Sequence, residues 1–250
     1  MLLPGRSVRR ALDNRRMEYD PTRKAIAEFL GTFTFVFAVS MSIAVGGQVA
    51  GIFGAAVAQG LALGIMVSAF AHISGGHFNP AVTLGALATR KIEPAVAVLY
   101  WLAQFAAAVA AALLAKKLLP AQFNNSIGVP TLSPGVTHWQ GLVIEGVLTF
   151  FLVLVVFATA VDPRGTFSAI AGLGIGLIVT VDILIGGPLT GAAMNPARAF
   201  GPELVQGSWT NAWIYYVGPL VGGLIAALLY TFLYLPRDSA PEATPAAAEP

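Results

Sequence analysis

The chain has 250 residues, of which 56% are hydrophobic and only 10% charged, with a net charge of +2. A soluble domain carries about 25% charged residues. This chain cannot cover a water-facing surface, so a membrane protein is expected. The absence of cysteine excludes disulfides and thiolate chemistry.

The chain opens on a basic segment, residues 1–21. MLLPGRSVRRALDNRR has no continuous apolar stretch of the kind a secretory signal needs. Six apolar stretches follow, at roughly 25–46, 52–73, 94–118, 139–161, 168–186 and 211–235. Each meets the need of about 20 residues per bilayer crossing. The tail, residues 236–250, is rich in proline and alanine and is expected to be disordered. Arg6, Arg9, Arg10, Arg15, Arg16, Arg23 and Lys24 precede the first span. Arg90, Lys91, Arg164 and Arg237 fall on the same side, whereas Lys116 and Lys117 fall on the other. The excess of positive charge places both termini in the cytoplasm of a multi-pass protein, with the cell (plasma or inner) membrane as the expected site. The basic start is read as this topology signal rather than as a lipid-binding patch. No nucleic-acid partner is expected.

Between the second and third spans lies HFNPAVTLG, and 116 residues later MNPARAFG repeats its core. Glu28 stands 51 residues before Asn79, and Glu145 stands 50 before Asn195. Gly75 and Gly191 each lie four residues before their asparagine. Fixed offsets of this kind mark an internal repeat, about 22–118 and about 139–235. Each half carries three spans, so the second half enters from the opposite side and the repeat is inverted.

Asparagine is a strong N-cap and proline suits the first helical position, so Asn79-Pro80-Ala81 and Asn195-Pro196-Ala197 each start a helix. About 11 residues reach about 16 Å, near half of the roughly 30 Å core. These are half-helices, entering from opposite faces and meeting near the midplane. The preceding HISGGHF and GGPLTGAAM are expected to be irregular, which is tolerated at that depth only where backbone is buried or lines a wet cavity.

The two boxes, HISGGHFNPAVT and GPLTGAAMNPARAFGP, together with Glu28, Glu145 and Gln104, resemble the aquaporin (major intrinsic protein) family over about residues 22–235. The resemblance implies an all-α membrane fold of six spanning helices plus two half-helices. It also implies a narrow pore in each subunit and a homotetramer in the bilayer, with no cofactor and no metal. By the family's pattern the constriction maps onto Gln59, Ile183, Ala192 and Arg198. Strict water channels look like Phe, His, a small residue and Arg at these places, and glycerol facilitators like Trp, Gly, Phe and Arg; this chain matches neither beyond Arg198. Ile183 and Ala192 resemble plant tonoplast members and an archaeal type. Tyr215-Tyr216, and Ala199 in place of an aspartate, lean away from glycerol uptake.

The resemblance implies a passive channel for water and small neutral solutes, ammonia and hydrogen peroxide among them, that excludes protons and ions. A glycerol facilitator and a proton-coupled transporter are the alternatives, the second resting only on Glu28 and Glu145. No nucleophile–base pair or metal cluster points to an enzyme. Glu28 and Glu145 read as shared braces for the irregular loops, or as proton carriers. Asp182 reads as an outer-interface residue, or as one that tunes the vestibule. His72 and His77 read as loop braces, or as a pH gate. His138 is expected at the interface, and Gln104 against a half-helix.

Overall fold

The computed structural model describes residues 19–46, 50–123, 126–164 and 170–236; the basic segment up to residue 18 and the tail from 237 lie outside them. The first helix, α1 (Pro21–Met41), starts where the side chain of Asp20 accepts from the Arg23 N–H and Pro21 takes a first-turn position. It runs on into a π-helical turn, Ser42–Gly46. Next come α2 (Gly51–Ser74), α3 (Pro80–Ala88) and α4 (Pro94–Leu118). The second half repeats the pattern. α5 (His138–Val156) starts at a capping box between Thr137 and Gln140 and continues into a second π-helical turn, Phe157–Val161. α6 (Ala171–Thr190), α7 (Pro196–Gln206) and α8 (Ile214–Leu233) follow. Among the described residues, six helices are long and apolar enough to cross a membrane: α1, α2, α4, α5, α6 and α8. α3 and α7, at 9 and 11 residues, reach only part of the way.

The packing follows the repeat. α1 packs on α4, and α5 on α8, so the outer spans of each half pair with each other. α2 packs on α6, its own counterpart. The half-helices cross over: α3 lies against α8 and α7 against α4. An inverted repeat related by a two-fold axis in the membrane plane requires this arrangement. Gly60 and Gly176, themselves 116 residues apart, let α2 and α6 approach until their backbones touch. Close approach at small residues is how helices associate in lipid, where the hydrophobic effect between them is lost.

One such contact yields a test of the packing. A Cβ at Gly222 of α8 would run into the carbonyl of Gly146 on α5, which is backbone and cannot swing away. Alanine gains about 1 kcal/mol of helix propensity over glycine, but overpacking a tight contact costs about 1–3 kcal/mol. Gly222→Ala is therefore expected to lower the thermal midpoint of the detergent-solubilised protein. Gly174→Ala, whose Cβ would meet only Thr159 Cγ2 at 3.6 Å, is expected to leave it unchanged or slightly raised. Equal midpoints for both variants would refute the crossing.

Two sequence expectations are corrected. GGPLTGAAM is not irregular throughout, because α6 runs on through Gly186, Gly187 and Pro188 to Thr190. The glycines there serve packing: Leu148 closes over Gly186, and Ile52 over Gly187. HISGGHF likewise stays helical through Ser74. The irregular backbone shrinks to Gly75–Asn79 and Gly191–Asn195. The second correction is Asp182. With α6 extended to Thr190, it lies two turns inside the helix and is fully buried rather than interfacial.

After the second π-helical turn, Asp162 receives the Arg164 guanidinium in two bonds, at 3.0 and 2.8 Å, and the Tyr230 hydroxyl at 3.1 Å. The guanidinium holds its carboxyl well below the usual carboxylate range. Arg164 also donates to the Tyr234 carbonyl, which ties this connection to the end of α8.

Candidate functional site

Both spanning helices α2 and α6 end at a left-handed glycine, Gly75 with φ 92° and Gly191 with φ 86°. The five residues that follow each hold strained backbone. Phe78 and Met194, at equivalent places in the two halves, have φ of 48° and 52°, and Ala192 has φ 43°. Side-chain-bearing residues adopt this region at a cost of about 1–2 kcal/mol each. They keep it only where the surroundings over-determine it.

The surroundings here are two buried carboxyl groups. Glu28 Oε1 accepts from Ser74 Oγ at 2.7 Å and the His77 N–H at 2.9 Å. Its Oε2 accepts from the Phe78 N–H at 2.7 Å and Gln104 Nε2 at 2.8 Å. Glu145 Oε1 accepts from Thr190 Oγ1 at 2.7 Å and the Ala193 N–H at 2.9 Å, and Oε2 from the Met194 N–H at 2.8 Å. Each helix-ending hydroxyl turns back to the N–H two residues on, Ser74 to Gly76 and Thr190 to Ala192. The backbone N–H groups among these donors, those of Gly76, His77, Phe78, Ala192, Ala193 and Met194, are ones that no helix satisfies, at a depth where water is scarce. In the first loop the bracing goes further. Tyr100 donates to the Ser74 carbonyl at 2.7 Å, Trp101 to the Pro80 carbonyl at 3.3 Å, and His77 Nδ1 lies 3.1 Å from Thr83 Oγ1. The other histidines lie apart from this network: His72 stands edge-on to Tyr19, and His138 is the first residue of α5.

Asn79 and Asn195 cap α3 and α7. The Oδ1 of Asn79 accepts from the Ala81 N–H at 2.8 Å; that of Asn195 accepts from Ala197 and Arg198 at 3.0 and 3.2 Å. Pro80 and Pro196 occupy the first helical position, where their missing N–H costs nothing. The amides then reach across. Asn79 Nδ2 donates to the Met194 carbonyl and Asn195 Nδ2 to the Phe78 carbonyl, both at 2.8 Å. Two helix N-termini from opposite halves are thus joined face to face, each carrying about half a positive charge.

Of the four positions mapped to the constriction, all are buried. Gln59 sits on α2 and Ile183 on α6, the two helices that cross at their glycines. Gln59 Nε2 donates to Ser42 Oγ at 3.2 Å. Arg198, in the first turn of α7, donates from Nη1 to the Gly128 carbonyl at 2.6 Å. Ala192 is one of the positive-φ residues of the second loop. No hydrogen bond joins any two of the four among the described residues. Asp182, on the turn of α6 beside Ile183, has both carboxyl oxygens buried without a partner.

The family model described as "Major intrinsic protein" matches residues 15–230. The chain belongs to the major intrinsic protein family. Probable aquaporin TIP3-2 of Arabidopsis thaliana is 45% identical over 236 residues, which cover 89% of this chain and 87% of that one. Aquaporin TIP1-2 of Zea mays is 46% identical over 225 residues, 86% and 87% of the two chains. A solved structure, the aquaglyceroporin from Plasmodium falciparum, superposes with a TM-score of 0.78 at 23% identity, covering 86% of this chain and 97% of that one. That likeness establishes the all-helical fold, six spans with two half-helices, and the chain is a multi-pass integral membrane protein.

Several residues of the site carried no functional mark in the sequence. Ser74 and Thr190 were readable as hydroxyls 116 residues apart, each just before a left-handed glycine. Thr83 and Gly128 have no counterpart of the same chemistry at the repeat offset, whereas Tyr100 falls on Tyr216 and Ser42 lies one residue off the register of Thr159.

Proposed function

We propose that the protein is a passive channel, not an enzyme, for water and other small neutral solutes, with ammonia and hydrogen peroxide as the candidates. The observation that carries this reading is the pair of asparagine amides, Asn79 and Asn195, crossing between the two half-helix ends. An amide nitrogen has two hydrogens, and each Nδ2 spends one on the opposite carbonyl. The other is available to a passing molecule. A water oxygen that accepts from both asparagines has no lone pair left for its neighbour in the file, so a proton wire breaks there. Two positive helix ends and Arg198 add a field that repels cations. The family membership and the aquaporin relatives support the same reading, and no observation favours a glycerol facilitator or a coupled transporter.

On this reading Gln59, Ile183, Ala192 and Arg198 form the constriction, the chain assembles as a homotetramer, and both termini face the cytoplasm across the cell membrane. Proteoliposomes are expected to shrink in stopped-flow faster than empty liposomes, with a low activation energy, while an imposed pH gradient persists. Shrinkage equal to that of empty liposomes would refute the water channel. Protein-dependent collapse of the gradient would refute the exclusion mechanism.

A further inference from the structure

The polar side chains mapped to the constriction are both tethered to one turn of span one. Ser42, at the start of the first π-helical turn, takes the Gln59 amide. Gly128, whose carbonyl takes Arg198, lies so close to the same turn that a Cβ placed on it would meet the Ile43 and Val39 side chains at 3.2 and 3.3 Å. Gly128 has φ 91°, so the loop comes this close only because it has no side chain to clash with Val39 and Ile43.

The chemistry of Ser42 decides which way the Gln59 amide faces. A serine hydroxyl has one proton. Ser42 gives it to the Val39 carbonyl at 3.1 Å, the back-bonding habit of serine within a helix. Toward Gln59 only lone pairs remain, so the atom 3.2 Å away is the donor Nε2 and not the carbonyl oxygen. Oε1 then points elsewhere. It accepts from no group among the described residues, and it is not among the buried atoms left without a partner, so it keeps access to open space. The second half lacks this device. Thr159, 117 residues on, back-bonds to Val155 in the same manner, but Ile175 stands where a second glutamine would be.

We infer that Ser42 is a positioning residue that locks the Gln59 amide with Oε1 toward the pore, so the constriction offers one acceptor as well as the donors of Arg198, and thereby favours ammonia over water. This rests on the reading of Gln59 and Arg198 as the constriction. Ammonia has three N–H groups and one lone pair. A constriction of donors alone satisfies only the lone pair, and the N–H groups cross stripped of water and unpaired. Water, with two of each, depends less on an added acceptor. The side chains of isoleucine and alanine at the other two positions supply neither.

The test is the ratio of ammonia to water permeability in proteoliposomes of low intrinsic ammonia leak, for the full chain and four variants. Ser42→Ala frees the amide to rotate and is expected to lower the ratio about fivefold, the worth of one neutral hydrogen bond. Ser42→Thr keeps the hydroxyl and is expected to keep the ratio. Gln59→Leu removes the acceptor at similar volume and is expected to lower the ratio as Ser42→Ala does. In the Gln59→Leu background Ser42→Ala is expected to add nothing, because its effect passes through the amide. An unchanged ratio in Ser42→Ala overturns the inference, as does an equal loss in both backgrounds, which would mark a merely structural effect. A wild type that passes water but no ammonia overturns it and leaves the water channel standing. A wild type that passes neither overturns the channel reading itself.

Discussion

Glu145→Ala is expected to abolish folded protein. The side chain is wholly buried and holds the Ala193 and Met194 N–H groups and the Thr190 hydroxyl. Removing it leaves the two N–H groups with no partner, at about 1–3 kcal/mol each, and the Thr190 hydroxyl with only a long bond of 3.4 Å to the Gly186 carbonyl. It also weakens the bonding that holds Met194 and Ala192 at positive φ. The sum approaches the whole stability of an ordinary protein, about 5–15 kcal/mol. Glu145→Gln keeps one carbonyl oxygen but presents an NH2 group to a donor, so it is expected to fold with a depressed thermal midpoint. Size-exclusion profiles and thermal melts in detergent measure both. A Glu145→Ala protein that elutes and melts like the wild type would show that the carboxyl does not hold the loop.

The second large effect is expected at Arg198. It is the largest fully buried side chain among the described residues, fixed from its first-turn position on α7 and tied to Gly128. Its planar fork supplies fixed, charged donors, whereas Ile183 and Ala192 supply none. Arg198→Ala removes the bulk and the charge together. Glycerol and urea permeability are expected to rise about tenfold or more, which requires only about 1.4 kcal/mol off the barrier. Sodium exclusion is expected to weaken in the same vesicles. The opposite change, Gln59→Phe with Ile183→His, adds two rings and is expected to restrict the pore to water. If Arg198→Ala leaves the solute cut-off unchanged and the double substitution alters nothing, the four positions are not the constriction.

Much of the fold was legible because lipid imposes a strict requirement. Backbone must pair internally, so an apolar run of about 20 residues means a helix, and an Asn-Pro pair at membrane depth means a helix starting there. The spacing of 116 residues between Asn79 and Asn195 marked out the two side chains that the structure joins by crossed hydrogen bonds. The ends of the helices were less legible. Gly186, Gly187 and Pro188 look like loop in one dimension, but in three dimensions they are where α5 and α2 press on α6. Asp182 was misplaced for the same reason. What the sequence withheld most were residues acting through their backbone or through one proton. Gly128 is used for its carbonyl, and Ser42 for which of its atoms is left to accept; neither leaves a pattern along the chain.

The crossed asparagines have a consequence for assembly in the bilayer. Asn79 finds its acceptor on the second half of the chain, and Phe78 offers its carbonyl to that half in return. Neither half is complete alone: each would leave an amide and a carbonyl stranded in hydrocarbon. The centre can therefore close only when both halves are present in opposite orientations. A single half could satisfy the same bonds only by meeting a second, oppositely inserted copy of itself.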